Sequence, residues 1–372
     1  MSYIEVLEPV VRTVISPAAL DVDQSARFPR AAIDALGETG LLGLLSATVA
    51  GGMGLGLAEA AQVVERIARA CPSTAMVVTM HYAGTALIEK YGPPETRRAI
   101  AEGRHLTTLA WSETGTRSHF WAPVGTARPD GEGFVLDGSK SMVTSAQQAD
   151  SYVWSSLPAL AAQGASTLWL VDSRLPGLRC PQPFDGLGLR GNASAPVVAE
   201  AVRVPAGAML GPDGGGGDIM NGDTLPVFAT LVASASIGLM DGTLERTIAH
   251  VTSSRFAESG STLAELPTIR AYLARARIRA EQARTLRDDT LAAMASGRAD
   301  TMLRVLEVKA SAAEAALEVT DTAMRICGGA AFRKDAGIER LFRDARAASI
   351  MAPTSDVLYD FIGRVLCGLP LA

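Results

Sequence analysis

Cysteine is scarce in this sequence, and the four present are scattered. Cys71, Cys180, Cys327 and Cys367 make no CxxC pair and no Cys/His spacing of the zinc-binding kind. A disulfide framework and a metal centre are therefore not expected, and buried reduced thiols of a cytoplasmic protein are. His81, His105, His119 and His250 show no ligand spacing, and no HExxH, P-loop or Ser/His/Asp set is present. Basic residues do not predominate: the net charge of −5 leaves no cationic field for nucleic acid or an anionic membrane. The opening MSYIEVLEPV lacks the basic run of a secretory leader. Long apolar runs are missing too. The longest, VFATLVASASIGLM (227 to 240), is short and rich in Ser and Thr, so no bilayer span is expected. GGMGLG (51 to 56) has the wrong spacing for a dinucleotide loop and no strand before it, so a helix-entry loop is expected there.

What is present reads as a folded protein of several domains. Hydrophobic residues make up 48% and charged residues 20%, an ordinary globular balance. At 372 residues the chain exceeds the size at which one core stops growing. The first hundred residues read helical, in SARFPRAAIDALGETGLLGLL, AEAAQVVERIARA and STAMVVTMHYAGTALIEKYG, with Ser73 a candidate cap. From about residue 106 short β-type runs follow: GFVLDG, DSYVWSSL, STLWLVD and APVVAEAVRVP, densely punctuated by Gly, Pro and Asp. GPDGGGGDIMNGD (211 to 223) reads as a flexible joint, because four consecutive glycines cost too much entropy inside an element. After it the chain is helical again, with Leu303, Leu306, Ala310, Ala313, Leu317 and Met324 on one face and Gly328–Gly329 ending the helix. The expected organisation is an α+β multidomain chain. Its parts are an N-terminal helical domain (1–105), a central β-barrel (106–212) and a C-terminal four-helix bundle (213–372).

Two stretches stand out: LAWSETGTRSHFWAPVGTARPDGEGFVLDGSKSMVTSAQQADSYVW (109 to 154) and RICGGAAFRKDAGIERLFRDARAASIMAPTSD (325 to 356). Ser112, Ser118, Thr144 and Ser145 offer hydroxyl groups on β-type segments. Gly328 and Gly329 permit close backbone approach at a helix end. These features suit a planar, phosphate-bearing cofactor and equally suit an ordinary turn-rich domain.

Ordered motifs over nearly the whole chain decide the matter. WSETGTRS resembles the TEPGxGS loop of the acyl-CoA dehydrogenase family of flavoproteins. LDGSKSMVTSAQQAD is similar to its LNGxKxWITNxxxAD hairpin, and VPAGAMLG to its VPxxNxLG turn. RICGGAAF, IERLFRDAR and FIGR resemble its QxxGGxGF, RDxK and closing helix. The resemblance implies FAD, an acyl thioester or other small-molecule substrate, a homodimer or homotetramer, and an electron-transfer partner or flavin reductase. It places the cofactor against Trp111 and Ser112, with Thr144 beside the reactive flavin nitrogen and Ser118 near the pyrophosphate. Gly328 and Gly329 would meet a neighbouring subunit's FAD, and Thr354 would face the cofactor. Departures are Met142 for the Trp that covers the flavin, Arg325 for a Gln, and Arg255 only as an offset match to an Arg. Arg117 and His119 replace a Gly and an Asp of the loop.

The family's catalytic carboxylate is missing. Its position in the tail is Ala352, and its alternative position on the first bundle helix is Phe228, followed by Ala229 where an Arg is common. Neither can take a proton. Three readings follow: a relocated base, with Asp356, His81 and His119 as candidates; a flavin-dependent monooxygenase on the same fold; or a non-catalytic relative. The retained Ser112, Thr144 and double glycine favour an oxidoreductase.

Overall fold

The computed structural model describes residues 2–116 and 119–370. Its first part is helical. α1 (Tyr3–Val10) runs through a π-helical turn into α2 (Ser16–Gln24), followed by α3 (Arg30–Glu38), α4 (Leu57–Ala70), α5 (Pro72–Tyr91) and α6 (Pro94–Ala101). α1 begins with a reciprocal cap between Ser2 and Glu5. α4 buries Ala60, Ala61, Val63, Val64, Ile67 and Ala68, the spacing of one helical face. α5 is buried nearly all round. Ser73 does not cap it: the helix starts at Pro72 after Cys71, and the Ser73 hydroxyl accepts the Gly191 amide at 3.3 Å. Proline at the first helical position needs no cap for its missing N–H, which frees that serine for another domain.

The middle part contains β1 (Thr107–Ala110), β2 (Thr126–Asp130), β3 (Gly133–Val143), β4 (Ser151–Ser156), β5 (Thr167–Asp172), β6 (Leu178–Arg179) and β7 (Ala195–Pro205). They hydrogen-bond as two sheets, β1-β4-β5 and β2-β3-β7-β6, not as one closed ring. β1 and β4 are parallel and the remaining pairs antiparallel. The long β3–β7 ladder is interrupted between Leu136 and Gly138 and between Lys140 and Val143, and such irregularities bend a strand. The two sheets share a core in which Trp154 and Trp169, cross-strand partners, are both fully buried.

The last part holds α7 (Gly216–Ile219), α8 (Leu225–Ser253), α9 (Pro267–Ser296), α10 (Thr301–Cys327), α11 (Ile338–Ile350) and α12 (Ser355–Leu366). The expected flexible joint is half wrong, because α7 and a π-helical turn run straight into α8 and make 38 helical residues, Gly216–Ser253. The glycines are held from the sheet side: the Gly216 amide donates to the Ser166 carbonyl at 2.7 Å. A Cβ on Gly216 would stand 2.7 Å from the Ser166 hydroxyl, so the close approach itself requires glycine. This helix is long and apolar enough to cross a membrane by composition, yet 89% of its most apolar window is buried in the bundle. α10 runs through the bundle's middle, touching α8, α9, α11 and α12. Consequently it buries more than the one expected face. Val308, Lys309, Ala312 and Val319 are covered, while Leu303, Leu317 and Met324 are only half-buried.

Helix α8 also lies directly on α4. A Cβ at Gly238 would stand 2.0 Å from the Glu65 carbonyl, and one at Gly242 2.3 Å from that of Arg69. Beside this contact Arg287 donates to Glu65 at 2.9 Å and Arg69 to Glu245 at 2.9 Å.

Candidate active site

A cavity of about 530 Å³ opens where the three parts meet. Met80 of α5 lines it, with Leu109, Trp111 and Ser112 at the end of β1 and Met142 and Thr144 at the end of β3. Thr224, Leu225 and Phe228 enter from the head of α8, and Ala347, Ile350, Met351, Ala352 and Pro353 from the end of α11 and its connection to α12. Four of the expected cofactor residues, Trp111, Ser112, Met142 and Thr144, thus share one space with both expected base positions, Ala352 and Phe228.

Others lie elsewhere. Arg255, Arg325, Gly328 and Gly329 are exposed and do not line the cavity; the Arg325 guanidinium lies 5.3 Å from the Tyr272 ring, and Arg255 donates to the Gly260 carbonyl at 2.8 Å. Thr354 caps α12, its hydroxyl accepting the Val357 amide at 3.4 Å. Ser118 lies outside the described residues. Asp356 is exposed in the first turn of α12, away from the lining.

Neither histidine sits in the cavity. His81 is fully buried between the Leu42 carbonyl, 3.0 Å from Nε2, and the Thr107 amide, which donates to Nδ1 at 3.2 Å. That pairing fixes one neutral tautomer, and burial pulls its pKa down to about 4. His119 is exposed and stacks on Trp121 with ring centroids 4.9 Å apart.

Among the described residues one lining carboxylate exists, and it is engaged. Glu113 is buried, accepts the amides of Val124 and Gly125, and pairs with the Lys140 ammonium at 2.6 Å. Lys140 also donates to the Ser155 carbonyl at 2.7 Å and lies 4.8 Å from the Trp154 ring centroid. Burial lowers Lys140 to about 8, while Glu113 opposes that shift. The pair fastens the loop after β1 to the β3 hairpin and leaves no carboxylate oxygen for proton transfer. Its members stand 27 residues apart, so no local pattern announces them.

A second buried lysine supports the opposite wall. Lys309 of α10 donates to the carbonyls of Ala348, Met351 and Pro353 at 3.0, 3.1 and 2.8 Å, so it ties down the segment that carries Ala352. Burial lowers its pKa to about 7. Sequence periodicity had no means of marking it, since a lysine on a helix normally signals a wet face.

The lining suits a flat ligand with polar edges. Met142, an apolar lining side chain, is 58% exposed. The Thr144 hydroxyl meets Ser194 at 3.1 Å, and the buried Trp111 Nε1 has no partner at all. Apolar faces flanked by hydroxyl and N–H groups match the flavin that the motifs imply.

Three family models cover the chain: the acyl-CoA dehydrogenase N-terminal domain over residues 4–103, the middle domain over 108–202 and the C-terminal domain over 214–367. The mitochondrial short-chain specific acyl-CoA dehydrogenase of Homo sapiens is 32% identical over 92% of this chain and 83% of its own. Cyclohex-1-ene-1-carbonyl-CoA dehydrogenase of Geobacter metallireducens is 28% identical over 98% of this chain and 96% of its own. Among solved structures, glutaryl-coenzyme A dehydrogenase in complex with glutaryl-CoA superposes with a TM-score of 0.92, 24% identical, over 100% of this chain and 97% of that one. With every segment matched in order, the chain belongs to the acyl-CoA dehydrogenase family, the FAD-dependent oxidoreductases.

Proposed function

We propose that this protein oxidises the Cα–Cβ bond of an acyl thioester, on coenzyme A or on a carrier protein, without the family's usual carboxylate. The carrying observation is the single cavity shared by Trp111, Ser112, Met142 and Thr144 on the sheet side and by Phe228 and Met351–Pro353 on the helical side. We infer that Ser112, Thr144 and Trp111 hold the polar edge of the flavin and that Met142 covers its face. Bound FAD supplies the two-electron acceptor. The chain's part is to exclude water with its apolar lining, to fix the acyl group against the wall that Lys309 holds, and to leave the Cα proton a route out.

Among the described residues that route ends at no lining side chain, so the proton passes to water or to a carboxylate beyond the lining. Ala352 and Phe228 are apolar, and Glu113 is engaged with Lys140. Asp356 is the carboxylate nearest in sequence to the wall, four residues past Ala352, and is the residue to test first. Exposed Gly328 and Gly329, with open space at both Cα positions, support a homodimer or homotetramer in which a second subunit covers them.

Anaerobic mixing of flavin-loaded protein with acyl-CoA and acyl-carrier panels tests the reading. Loss of the flavin's visible absorbance is the expected result; no bleaching with any thioester would remove it. A second reading, flavin-dependent monooxygenation, draws on the missing carboxylate, because an oxygenase needs no base for a Cα proton. Reduction of the flavin first, followed by O₂ and candidate substrates, separates the two.

A further inference from the structure

Most hydroxyl groups on α8 bond back along their own helix, Thr230 turning instead to the Met294 sulfur. Ser234, Ser236, Thr243 and Thr247 each donate to the carbonyl four residues back, at 2.8 to 3.0 Å. Thr224, at the head of the same helix, does not. The residue is 1% exposed and lines the cavity, and its Oγ1 is buried without any partner. It sits at the end of the π-helical turn Met220–Thr224, where the Met220 carbonyl accepts the Leu225 amide. Among the described residues, the only other partnerless buried polar side-chain atom lining the cavity is Trp111 Nε1. Trp111 adjoins Ser112 on the sheet side, the side assigned above to the cofactor. Thr224 stands with Leu225 and Phe228 on the helical side, where the acyl group is placed.

A buried hydroxyl left unpaired costs about 1–3 kcal/mol, so a site that keeps one open is shaped for a ligand that pairs it. The ligand group is neutral. Arg343, a lining cation, is already held by Asp23 and Glu339 at 2.6 Å each, and Arg346 is exposed, so a carboxylate pressed against Thr224 would lack a buried counter-charge.

We propose, resting on the acyl thioester reading above, that the substrate's acyl chain carries a neutral oxygen, a hydroxyl or a carbonyl, and that Thr224 is the specificity-determining residue that pairs with it. Phe228, one turn further on the same face, seats the neighbouring carbons. The substrate class is then an oxygenated acyl thioester, not a plain fatty acyl one.

Calorimetric titration of the flavin-loaded protein decides this without relying on turnover. CoA thioesters are compared in pairs of equal chain length, one plain and one with a hydroxyl or oxo group beyond the β carbon. The expected result is about tenfold tighter binding for at least one oxygenated member, the scale of one neutral hydrogen bond. Thr224→Val should erase that preference by weakening the oxygenated member more than the plain one, and Thr224→Ser should keep it. Equal binding of both members of every pair by the unaltered protein overturns the proposal, as does equal weakening of both by Thr224→Val. Should Thr224→Val not fold, the preference of the unaltered protein and its retention in Thr224→Ser still decide. Absence of binding by any thioester is a different result: it removes the acyl thioester reading and this inference with it.

Discussion

Lys140 and Lys309 are both fully buried, one in the sheet domain and one in the bundle, and their surroundings differ in one respect. Lys140 has a carboxylate, Glu113, at 2.6 Å; Lys309 has three backbone carbonyls and no acid among its hydrogen-bond partners. The first arrangement is a closed ion pair that fastens two loops. The second is a charge held by dipoles, and it depends on the backbone staying where it is. The difference teaches that the sheet-side wall of the cavity is fixed by mutual neutralisation, whereas the helix-side wall is fixed by a group that titrates nearer neutrality.

The largest effect should come from breaking the closed pair. Glu113→Ala leaves Lys140 buried without its partner and should cost about 3–5 kcal/mol, read from chemical denaturation of the flavin-loaded protein. Removing both charges together, Glu113→Leu with Lys140→Met, should recover much of that loss. A double variant as unstable as the single one would show that the pair is not a self-contained unit.

The pH response sharpens the contrast. Lys309 has its pKa lowered from the ordinary 10.5 to about 7 in the folded state. Between those values the unfolded chain binds more protons, so stability rises as pH rises from about 7 towards 10. Lys309→Met should remove that rise, a change on the order of 3 kcal/mol across the window after allowing for relaxation. An unchanged slope in Lys309→Met would mean that the ammonium is not held as the geometry implies.

A neutral buried base gives a smaller, acid-side counterpart. His81, held to about 4 by burial, is uncharged in folded and unfolded chains above the ordinary 6.5. Stability is lost as pH falls from 6.5 through 4, by on the order of 2 kcal/mol after allowing for relaxation. Buried Asp344, raised to about 6, acts in the reverse sense, since the folded state takes up its proton first. The slope of melting temperature between pH 6.5 and 4 should therefore flatten, or change sign, in His81→Gln. An identical acid slope in that variant would assign the loss to other groups.

The smallest effect belongs to an exposed pair of the same chemistry. Arg179 and Glu200 join β6 and β7 at the surface, each more than half exposed. Arg179→Ala should leave the melting temperature unchanged within error, because solvent screens what burial magnifies for Glu113 and Lys140. A loss comparable to that of Glu113→Ala would erase the distinction.

Much of this was legible in the chain, for identifiable reasons. β3, β4, β5 and β7 announce themselves as short β-branched and aromatic runs between turn residues. The family motifs bring Trp111, Ser112, Met142, Thr144, Phe228 and Ala352 to one cavity. What stayed hidden depends on neighbours distant in sequence. Gly214–Gly217 reads as a joint until the Ser166 carbonyl is seen holding Gly216. Ser73 reads as a cap until Gly191 claims its hydroxyl. Lys309 and Thr224 look like ordinary polar residues of helices, and only packing shows one gripping a cavity wall and the other lining the cavity with its hydroxyl unpaired. The four-residue β1 and two-residue β6 are too short for any periodicity to register.

The glycine contact between α4 and α8 has a mechanical consequence. With the backbones of these helices nearly touching at Gly238 and Gly242, the first and last parts of the chain share one seam that neither can leave alone. Three domains in sequence then become two units in unfolding: a helical body closed around that seam, and a sheet insert strung between its halves. Limited proteolysis should open the 157–165 loop of the sheet insert well before any bond in α4 or α8, and the helical halves should stay associated after the cut.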